Sequence, residues 1–169
     1  MSQKNTDDKF ARQLRGTKLF ENFLKLGKTK ETNFKDLFNN TQWSTTEQDK
    51  MEHWDFKVNF KVDVKGLKKF RRSDNQPNEN IHWIEIKNVF GHHGWLYGDA
   101  DLFAFETNKY WIVVEKYKLQ EWISKNISKQ MVSTPEMYKL YQRHGSKDII
   151  TLVSSHDLYY LSLEIIQKN

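Results

Sequence analysis

The sequence contains no cysteine, only two prolines and seven glycines, and no long hydrophobic run. The absence of cysteine excludes disulfides and thiolate metal sites, so carboxylates and histidines are the side chains left to bind a metal. No apolar stretch approaches the roughly 18 residues needed to span a bilayer, and the first ten residues, MSQKNTDDKF, include no hydrophobic signal core. We therefore expect a soluble, intracellular, cytoplasmic protein without a membrane partner.

The chain is long enough to bury one hydrophobic core and short for two. Its 169 residues are 37% hydrophobic and 14% aromatic. Helical spacing, strand alternation and capping residues predict a mixture of helices and strands, and we expect an α/β (α+β) domain with a mixed central β-sheet flanked by helices. The predicted elements are helices over 7–15, 17–26 (ending at Gly27), 44–53 and 118–127, strands over 81–89, 100–106, 110–115 and 149–153, and a closing amphipathic helix from Ser155 with Leu158, Leu161, Ile165 and Ile166 inward.

Positive charge is concentrated at the N-terminus. The net charge is +5, and residues 1–43 carry nine Lys/Arg against five Asp/Glu, a net of +4. We interpret residues 1–43 as a basic helical arm and residues 44–169 as the core. For the arm alone, a lysine-rich composition without a ligand is the favoured interpretation.

The run from Trp54 to Lys65, WDFKVNFKVDVK, alternates apolar and polar side chains throughout. Strand side chains alternate between faces, so one face is apolar and the other carries Asp55, Asp63 and Lys65. In one continuous strand the two aspartates would lie roughly 26 Å apart at about 3.3 Å per residue. An odd-length connection centred near Asn59 would instead fold the run into a hairpin that brings Asp55 opposite Asp63.

Two facing carboxylates and a lysine suit metal-dependent hydrolysis of a phosphodiester. Mg²⁺ is commonly held by one or two protein carboxylates together with waters and substrate phosphate oxygens. It acidifies bound water and neutralises charge on phosphate, while a lysine can orient the water or stabilise the transition state. The alternative is an ordinary solvated face of an antiparallel sheet, on which charged residues alternate for solubility.

The order of acidic helix, Asp55, hairpin and Asp63-Val64-Lys65 resembles the PD-(D/E)XK nuclease superfamily. Trp54 replaces the proline that precedes the first aspartate in that superfamily. The segments STTEQDKMEHWD, HWIEIKN, GWLYGDADLFAFE and YWIVVEKYKLQEWI extend the similarity to its small phage-type members, so that it covers about Ser44 to Ile127.

This resemblance implies a restriction-endonuclease-like core, a cytoplasmic and phage-encoded protein, and a DNA endonuclease that uses Mg²⁺ or Mn²⁺. It assigns Asp55, Asp63 and the Val64 carbonyl to the metal, and Lys65 to the attacking water. Glu85 and Glu47 are second-rank catalytic candidates. An acid such as Glu47 in a first helical turn also simply complements the helix dipole.

A second acid-x-lysine triplet, Glu85-Ile86-Lys87, is a rival for the signature. We prefer Asp63-Val64-Lys65 because the strands that follow it fit the superfamily order better, which would place Glu85 on the neighbouring strand as an additional carboxylate. The adjacent His92 and His93 are more typical of exposed loop residues than of metal ligands.

Basic residues leave the predicted active strand in the segment KGLKKFRR. A basic cluster beside a metal site would contact phosphates on either side of a scissile bond, so we expect nucleic acid, and DNA in particular, as the partner. The predicted contacts are Lys68, Lys69, Arg71 and Arg72. Cleavage of both DNA strands would favour a homodimer. Two alternative functions remain open: a DNA-binding module that does not cut, and a protein-interaction domain.

Overall fold

The computed structural model describes residues 18–36, 41–57, 60–71 and 73–168. The chain forms two compact units, Met1–Leu37 and Phe38–Asn169. In the first unit, helix α1 (Lys18–Lys35) continues through Gly27, where the sequence predicted that a helix would end. A single glycine inside a helix costs only about 1 kcal/mol relative to alanine, which the longer helix tolerates. The helix predicted over 7–15 lies outside the described residues.

The second unit is a mixed α/β structure. Its elements in chain order are β1 (Gln42–Trp43), α2 (Thr46–Glu52), β2 (Phe56–Lys57), β3 (Lys61–Lys65), β4 (Ile81–Lys87), a 3-10 helix (Trp95–Tyr97), β5 (Leu102–Glu106), β6 (Tyr110–Glu115), α3 (Lys116–Asn126), β7 (Ser128–Val132), β8 (Lys139–Tyr141), β9 (Ile149–Ser154), α4 (Ser155–Leu161) and β10 (Ser162–Gln167).

These strands form two mixed sheets, where the sequence predicted one central sheet. The first sheet has the order β1-β2-β3-β5-β6-β10, and the second has the order β4-β9-β8-β7. Both contain one parallel pair, β3 with β5 and β7 with β8. The prediction was wrong because alternation along a single strand does not show which strand it pairs with, and β4 pairs with β9 instead of joining β3.

One hydrophobic core is shared by the two sheets. Ile84 of β4 and Val153 of β9 belong to the same buried cluster as Phe103 and Phe105 of β5. All four side chains are fully or almost fully buried. The two sheets therefore pack against each other through this shared core.

The hairpin between β2 and β3 has the predicted parity. Phe56 lies opposite Val62 and Lys57 lies opposite Lys61, which leaves the three residues 58–60 as an odd connection. Val58 and Asn59, where the reversal was expected to be centred, lie outside the described residues. The register confirms that Asp55 and Asp63 occupy corresponding positions on the two sides of the hairpin.

The C-terminal segment differs from the predicted closing helix. Helix α4 ends at Leu161, and β10 follows it and pairs antiparallel with β6 along the edge of the first sheet. Leu158 is fully buried, as predicted. Ile165 and Ile166 are β-branched and lie in the strand, because pairing with the open edge of β6 satisfies backbone groups that a longer helix would leave unpaired with that sheet. Across the described residues, no helix combines the length and the apolar character needed to cross a membrane.

Candidate active site

Asp63 and Lys65 form the centre of the candidate site on β3. Residues two apart on a strand point to the same face, and here Lys65 Nζ lies 2.6 Å from Asp63 Oδ1. Asp63 is only 5% exposed, and its second carboxylate oxygen, Oδ2, is buried without a hydrogen-bond partner. The expectation that Lys65 shares the space of Asp63 is confirmed.

The charge of Asp63 is disfavoured by its surroundings. Burial raises the pKa of Asp63, and the nearby Lys65 ammonium only partly opposes this effect. Buried native carboxylates normally have partners for their oxygens, and ionisable groups whose pKa is perturbed by burial and a charged neighbour cluster at functional sites. Asp63 is therefore a carboxylate that a cation, a proton or a ligand donor would stabilise.

Glu85 reaches this centre from the opposite sheet. It was expected on a neighbouring strand of the same sheet, but β4 lies in the second sheet, so that expectation was wrong. Burial raises the pKa of Glu85, while the charge of Lys65 and a hydrogen bond from the Trp95 backbone N–H lower it. The charge of Lys65 therefore acts on both the Glu85 and the Asp63 carboxylates. Lys87, the lysine of the rival triplet, is exposed.

Gly94 and Trp95 hold Glu85 and Lys65 in place. A Cβ at Gly94 would lie 2.4 Å from the Glu85 carbonyl oxygen, so glycine allows this loop to lie directly against β4. Gly94 N–H also donates to the Ile86 carbonyl at 2.9 Å. The Trp95 ring lies 4.2 Å from Lys65 Nζ, within the range of a cation–π interaction. We name Asp63, Lys65, Glu85 and Trp95 the Asp63 cluster.

Sequence reasoning did not identify Trp95 as part of the site. Trp95 is buried. Its contact with Lys65 joins a loop after β4 to the first sheet, and no periodicity in either segment predicts a contact between sheets. The glycine beside Trp95, Gly94, was a signal in the sequence, because a glycine permits the close approach of another backbone segment.

Asp55 directly precedes β2, at the end of the hairpin away from its turn. Its backbone N–H donates to the Val62 carbonyl at 2.9 Å, and its Oδ2 accepts the Val64 N–H at 2.6 Å. The carboxylate therefore satisfies a backbone donor of β3 beyond the end of the β2 pairing. Metal binding by Asp55 and by the Val64 carbonyl remains a prediction.

Helix α2 carries the candidate Glu47 and a second acid, Asp49, in its first turn. Glu47 is exposed in the first turn, where the helix begins with a capping box formed by Thr45 and Gln48. Asp49 is the helix acid whose charge acts on Asp63, and His53 at the C-terminal cap acts on both Asp63 and Glu85. A catalytic role for Glu47 stays a prediction, and Asp49 is the acid of this helix that is electrostatically coupled to the Asp63 cluster.

The basic segment after β3 is exposed beside the cluster. Lys68, Lys69 and Arg71 are exposed, and Arg72 lies outside the described residues. Although Lys68 as a whole is exposed, desolvation lowers its pKa, as does the charge of Lys65, whereas the charges of Glu85 and Asp63 raise it. Lys68 is therefore within electrostatic reach of both carboxylates. The exposed His92 and His93 agree with the interpretation of that loop as solvated.

The cluster can accommodate a small hard cation without a dedicated ligand cage. In the part of the chain that the structure describes, no three His, Cys, Asp or Glu side chains are grouped so that they could hold a metal ion together. Mg²⁺ does not require such a group, since it is often held by one or two carboxylates and keeps several waters. The buried, unpartnered Asp63 Oδ2 is a suitable oxygen ligand for it.

Comparison with known protein families, curated proteins and solved structures gave no match. The resemblance to the PD-(D/E)XK superfamily therefore rests on the residues of this chain alone.

Proposed function

We propose that this protein is a metal-dependent endonuclease that hydrolyses phosphodiester bonds of nucleic acid, with DNA as the substrate. The observation that carries the proposal is Asp63, a buried carboxylate with one unpartnered oxygen and a lysine ammonium 2.6 Å from the other. Fully structural ion pairs usually satisfy both carboxylate oxygens, because an unmet buried acceptor costs about 1–3 kcal/mol. Asp148 Oδ1 is likewise buried without a partner, so Asp63 is distinguished by its setting. The charge of its lysine partner also acts on the Glu85 carboxylate, and an exposed basic segment follows β3 directly.

The residues of the Asp63 cluster have separable roles in this proposal. Asp63 would hold Mg²⁺ or Mn²⁺, which when bound supplies Lewis-acid stabilisation of phosphate and a more acidic water. Lys65, held between Asp63 and the Trp95 ring, donates hydrogen bonds to the phosphoryl oxygens and offsets the negative charge that develops on them. Glu85, whose pKa is raised by burial, can accept a proton from the attacking water.

The surroundings of the cluster favour an anionic polymer as the substrate. The segment that follows β3 begins directly after Lys65 and carries three exposed basic residues, Lys68, Lys69 and Arg71. Cations arranged around a cleavage centre contact phosphates on both sides of the scissile bond and give salt-dependent binding. A small neutral substrate would not need them.

The test is cleavage of supercoiled plasmid, linear duplex and a four-way junction in Mg²⁺ or Mn²⁺. We expect Asp63→Asn and Lys65→Met each to reduce the cleavage rate by about 10²-fold or more, the effect typical of losing one preorganised electrostatic group. Asp36→Asn is the matched control, since Asp36 is an exposed aspartate of the first unit, and it should cut like the wild type. Cleavage that survives Asp63→Asn, or that no divalent ion supports, would refute the proposal.

A non-catalytic DNA-binding module is a second candidate, favoured by the hydrogen bond between Asp55 and the Val64 backbone, which gives Asp55 a structural role. That candidate predicts DNA binding without cleavage in any divalent ion, and binding that Asp63→Ala leaves intact. A protein-interaction domain predicts instead that neither Mg²⁺ nor DNA raises the melting temperature, because ligands of the folded state must raise it.

A further inference from the structure

Two loops from different parts of the chain lie together beside β4. The first, residues 88–93, follows β4, and the second, residues 142–147, precedes β9. The Lys147 N–H donates to the Val89 carbonyl at 3.3 Å. The Lys147 side chain packs on Gly91, where an added Cβ would lie 3.3 Å from Lys147 Cβ. We name these two loops, together with Lys87 at the end of β4, the paired loops (residues 87–93 and 142–147).

The paired loops carry three cationic side chains, and the acid next to them, Asp148, is fully buried in an ion pair with Arg143. Their sequences are KNVFGHH and QRHGSK. Lys87, Arg143 and Lys147 are exposed, as are the three histidines of the paired loops. Phe90 is 68% exposed, and an exposed aromatic side chain among cations is typical of surfaces that bind single-stranded nucleic acid.

The paired loops are held in a defined shape. The Asn88 side-chain oxygen accepts the backbone N–H groups of Phe90 and His92 at 3.0 and 3.1 Å. Arg143 forms an ion pair through Nε with the fully buried carboxylate of Asp148. Because these bonds fix both loops, little conformational entropy would be lost when a ligand binds.

The paired loops adjoin the Asp63 cluster. Lys87 is two residues from Glu85 on β4, and the loop that includes His93 continues into Gly94, which lies against Glu85. The charge of Arg143 acts on Lys68, on which the charges of Asp63 and Glu85 also act. Positive charge thus extends from the segment after β3, past the cluster, to the paired loops.

We propose that the paired loops bind the phosphate backbone of the nucleic acid beyond the cleavage position, with Lys87 and Lys147 as direct phosphate contacts. The inference rests on the proposed function, because it takes nucleic acid as the ligand, but it concerns binding and does not require cleavage. It adds a second contact surface to the segment after β3, so the substrate would be held on both sides of the Asp63 cluster.

The experiment measures fluorescence anisotropy of a labelled 20-base-pair duplex DNA in EDTA, over a series of salt concentrations. The variant is Lys87→Gln/Lys147→Gln, and the matched control is Lys125→Gln/Lys129→Gln, which removes the same charge near the far edge of the second sheet. Loss of two phosphate contacts should reduce the slope of log K against log salt by about 2 and weaken binding by about tenfold or more at 0.1 M salt. Lys87→Arg/Lys147→Arg, which keeps both charges, should bind like the wild type.

The outcomes separate this inference from the proposed function. The inference is overturned if Lys87→Gln/Lys147→Gln binds like the control variant, or if the wild type does not bind the duplex. A wild-type protein that cuts DNA but binds equally well after Lys87→Gln/Lys147→Gln would leave the proposed function standing and refute the paired loops. A protein that needs the paired loops to bind DNA, yet cuts no DNA in any divalent ion, would support the paired loops and refute the proposed function. Melting temperatures of all variants establish that each one is folded.

Discussion

Removal of the Lys65 ammonium alone should destabilise the protein more than removal of the whole Asp63–Lys65 ion pair. In Lys65→Met, Asp63 would remain 5% exposed and would lose the cation that contacts Oδ1, while Oδ2 already lacks a partner. In Asp63→Leu/Lys65→Met, side chains of similar size fill the space and the Asp63 charge is absent, while Glu85 loses the charge of Lys65 equally in both variants. The comparison asks whether the pair is present for stability.

The expected magnitudes follow from burial. Breaking a buried pair by removing one partner costs about 3–5 kcal/mol, and the lower end applies here because Lys65 is 19% exposed and Asp63 can take up a proton. We expect Lys65→Met to lose about 3 kcal/mol at pH 7. Replacing a whole buried pair by apolar side chains is often neutral or stabilising, by up to about 4 kcal/mol, so the double variant should be at least as stable as the wild type.

The pH dependence supplies an internal check. Burial raises the pKa of Asp63 in the folded state above its unfolded value, so both states hold the proton at low pH and the folded state keeps it longer as the pH rises. The loss of stability caused by burying the Asp63 charge is therefore absent below the pKa of the unfolded state. It grows as the pH rises from that pKa to the pKa of the folded state. Lys65→Met should approach wild-type stability as the pH falls toward about 4.

Urea unfolding in EDTA, at pH 7 and at acidic pH, measures these differences. The expected order of stability at pH 7 is double variant, equal to or above wild type, then Lys65→Met. A double variant as unstable as Lys65→Met would mean that the pair itself stabilises the fold. That result would remove the argument that Asp63 is retained for chemistry.

Two further predictions concern the supports of the site. Gly94→Ala should lower the free energy of unfolding by about 1–3 kcal/mol and reduce cleavage, because its Cβ would lie 2.4 Å from the Glu85 carbonyl oxygen. In the control variant Gly27→Ala, the added Cβ would lie 3.8 Å from its nearest neighbour, so this change should be neutral or stabilising. Equal effects of the two substitutions in urea unfolding would contradict the reasoning. Burial lowers the pKa of His82 to about 4, below its unfolded value of 6.5, so its stabilising contribution is complete above pH 6.5 and falls by about 3 kcal/mol as the pH drops to 4. His82→Gln should flatten this part of the stability curve, and an unchanged curve would show that His82 is not buried in its neutral form.

Local patterns in the sequence were sufficient to predict individual strands and the hairpin. Strand β6, Tyr110–Glu115, has the predicted bounds, and β9 extends the predicted strand by one residue. The parity of the hairpin followed from strict alternation on both sides of the turn, because a shift of one residue would have buried charged side chains. The proximity of Lys65 to Asp63 followed from the same two-residue period.

The assembly of the site from two sheets could not be predicted in this way. Trp95 contacts Lys65, and the charge of Lys65 acts on Glu85, only because β4 pairs with β9 and packs across a shared core. Such pairing depends on contacts far apart in the chain. Asp55 was interpreted as a face residue, yet its carboxylate accepts a backbone N–H of β3. That contact arises because the β2 pairing ends at Phe56, and alternation along a strand does not show where its pairing ends.

The position of Asp63 explains why a costly carboxylate is tolerated there. β3 lies inside the first sheet, between β2 and β5, so its backbone is fixed by neighbours on both sides. The Lys65 ammonium, held by the Trp95 ring, offsets part of the cost, and the core behind β5 supplies the rest of the stability. Natural sequences depart from complete polar satisfaction mainly where function requires it. A rigid, partly compensated carboxylate flanked by two basic surfaces is the arrangement that a phosphodiester substrate would complete, since its bound cation would occupy the unpartnered oxygen and its phosphates the surrounding lysines.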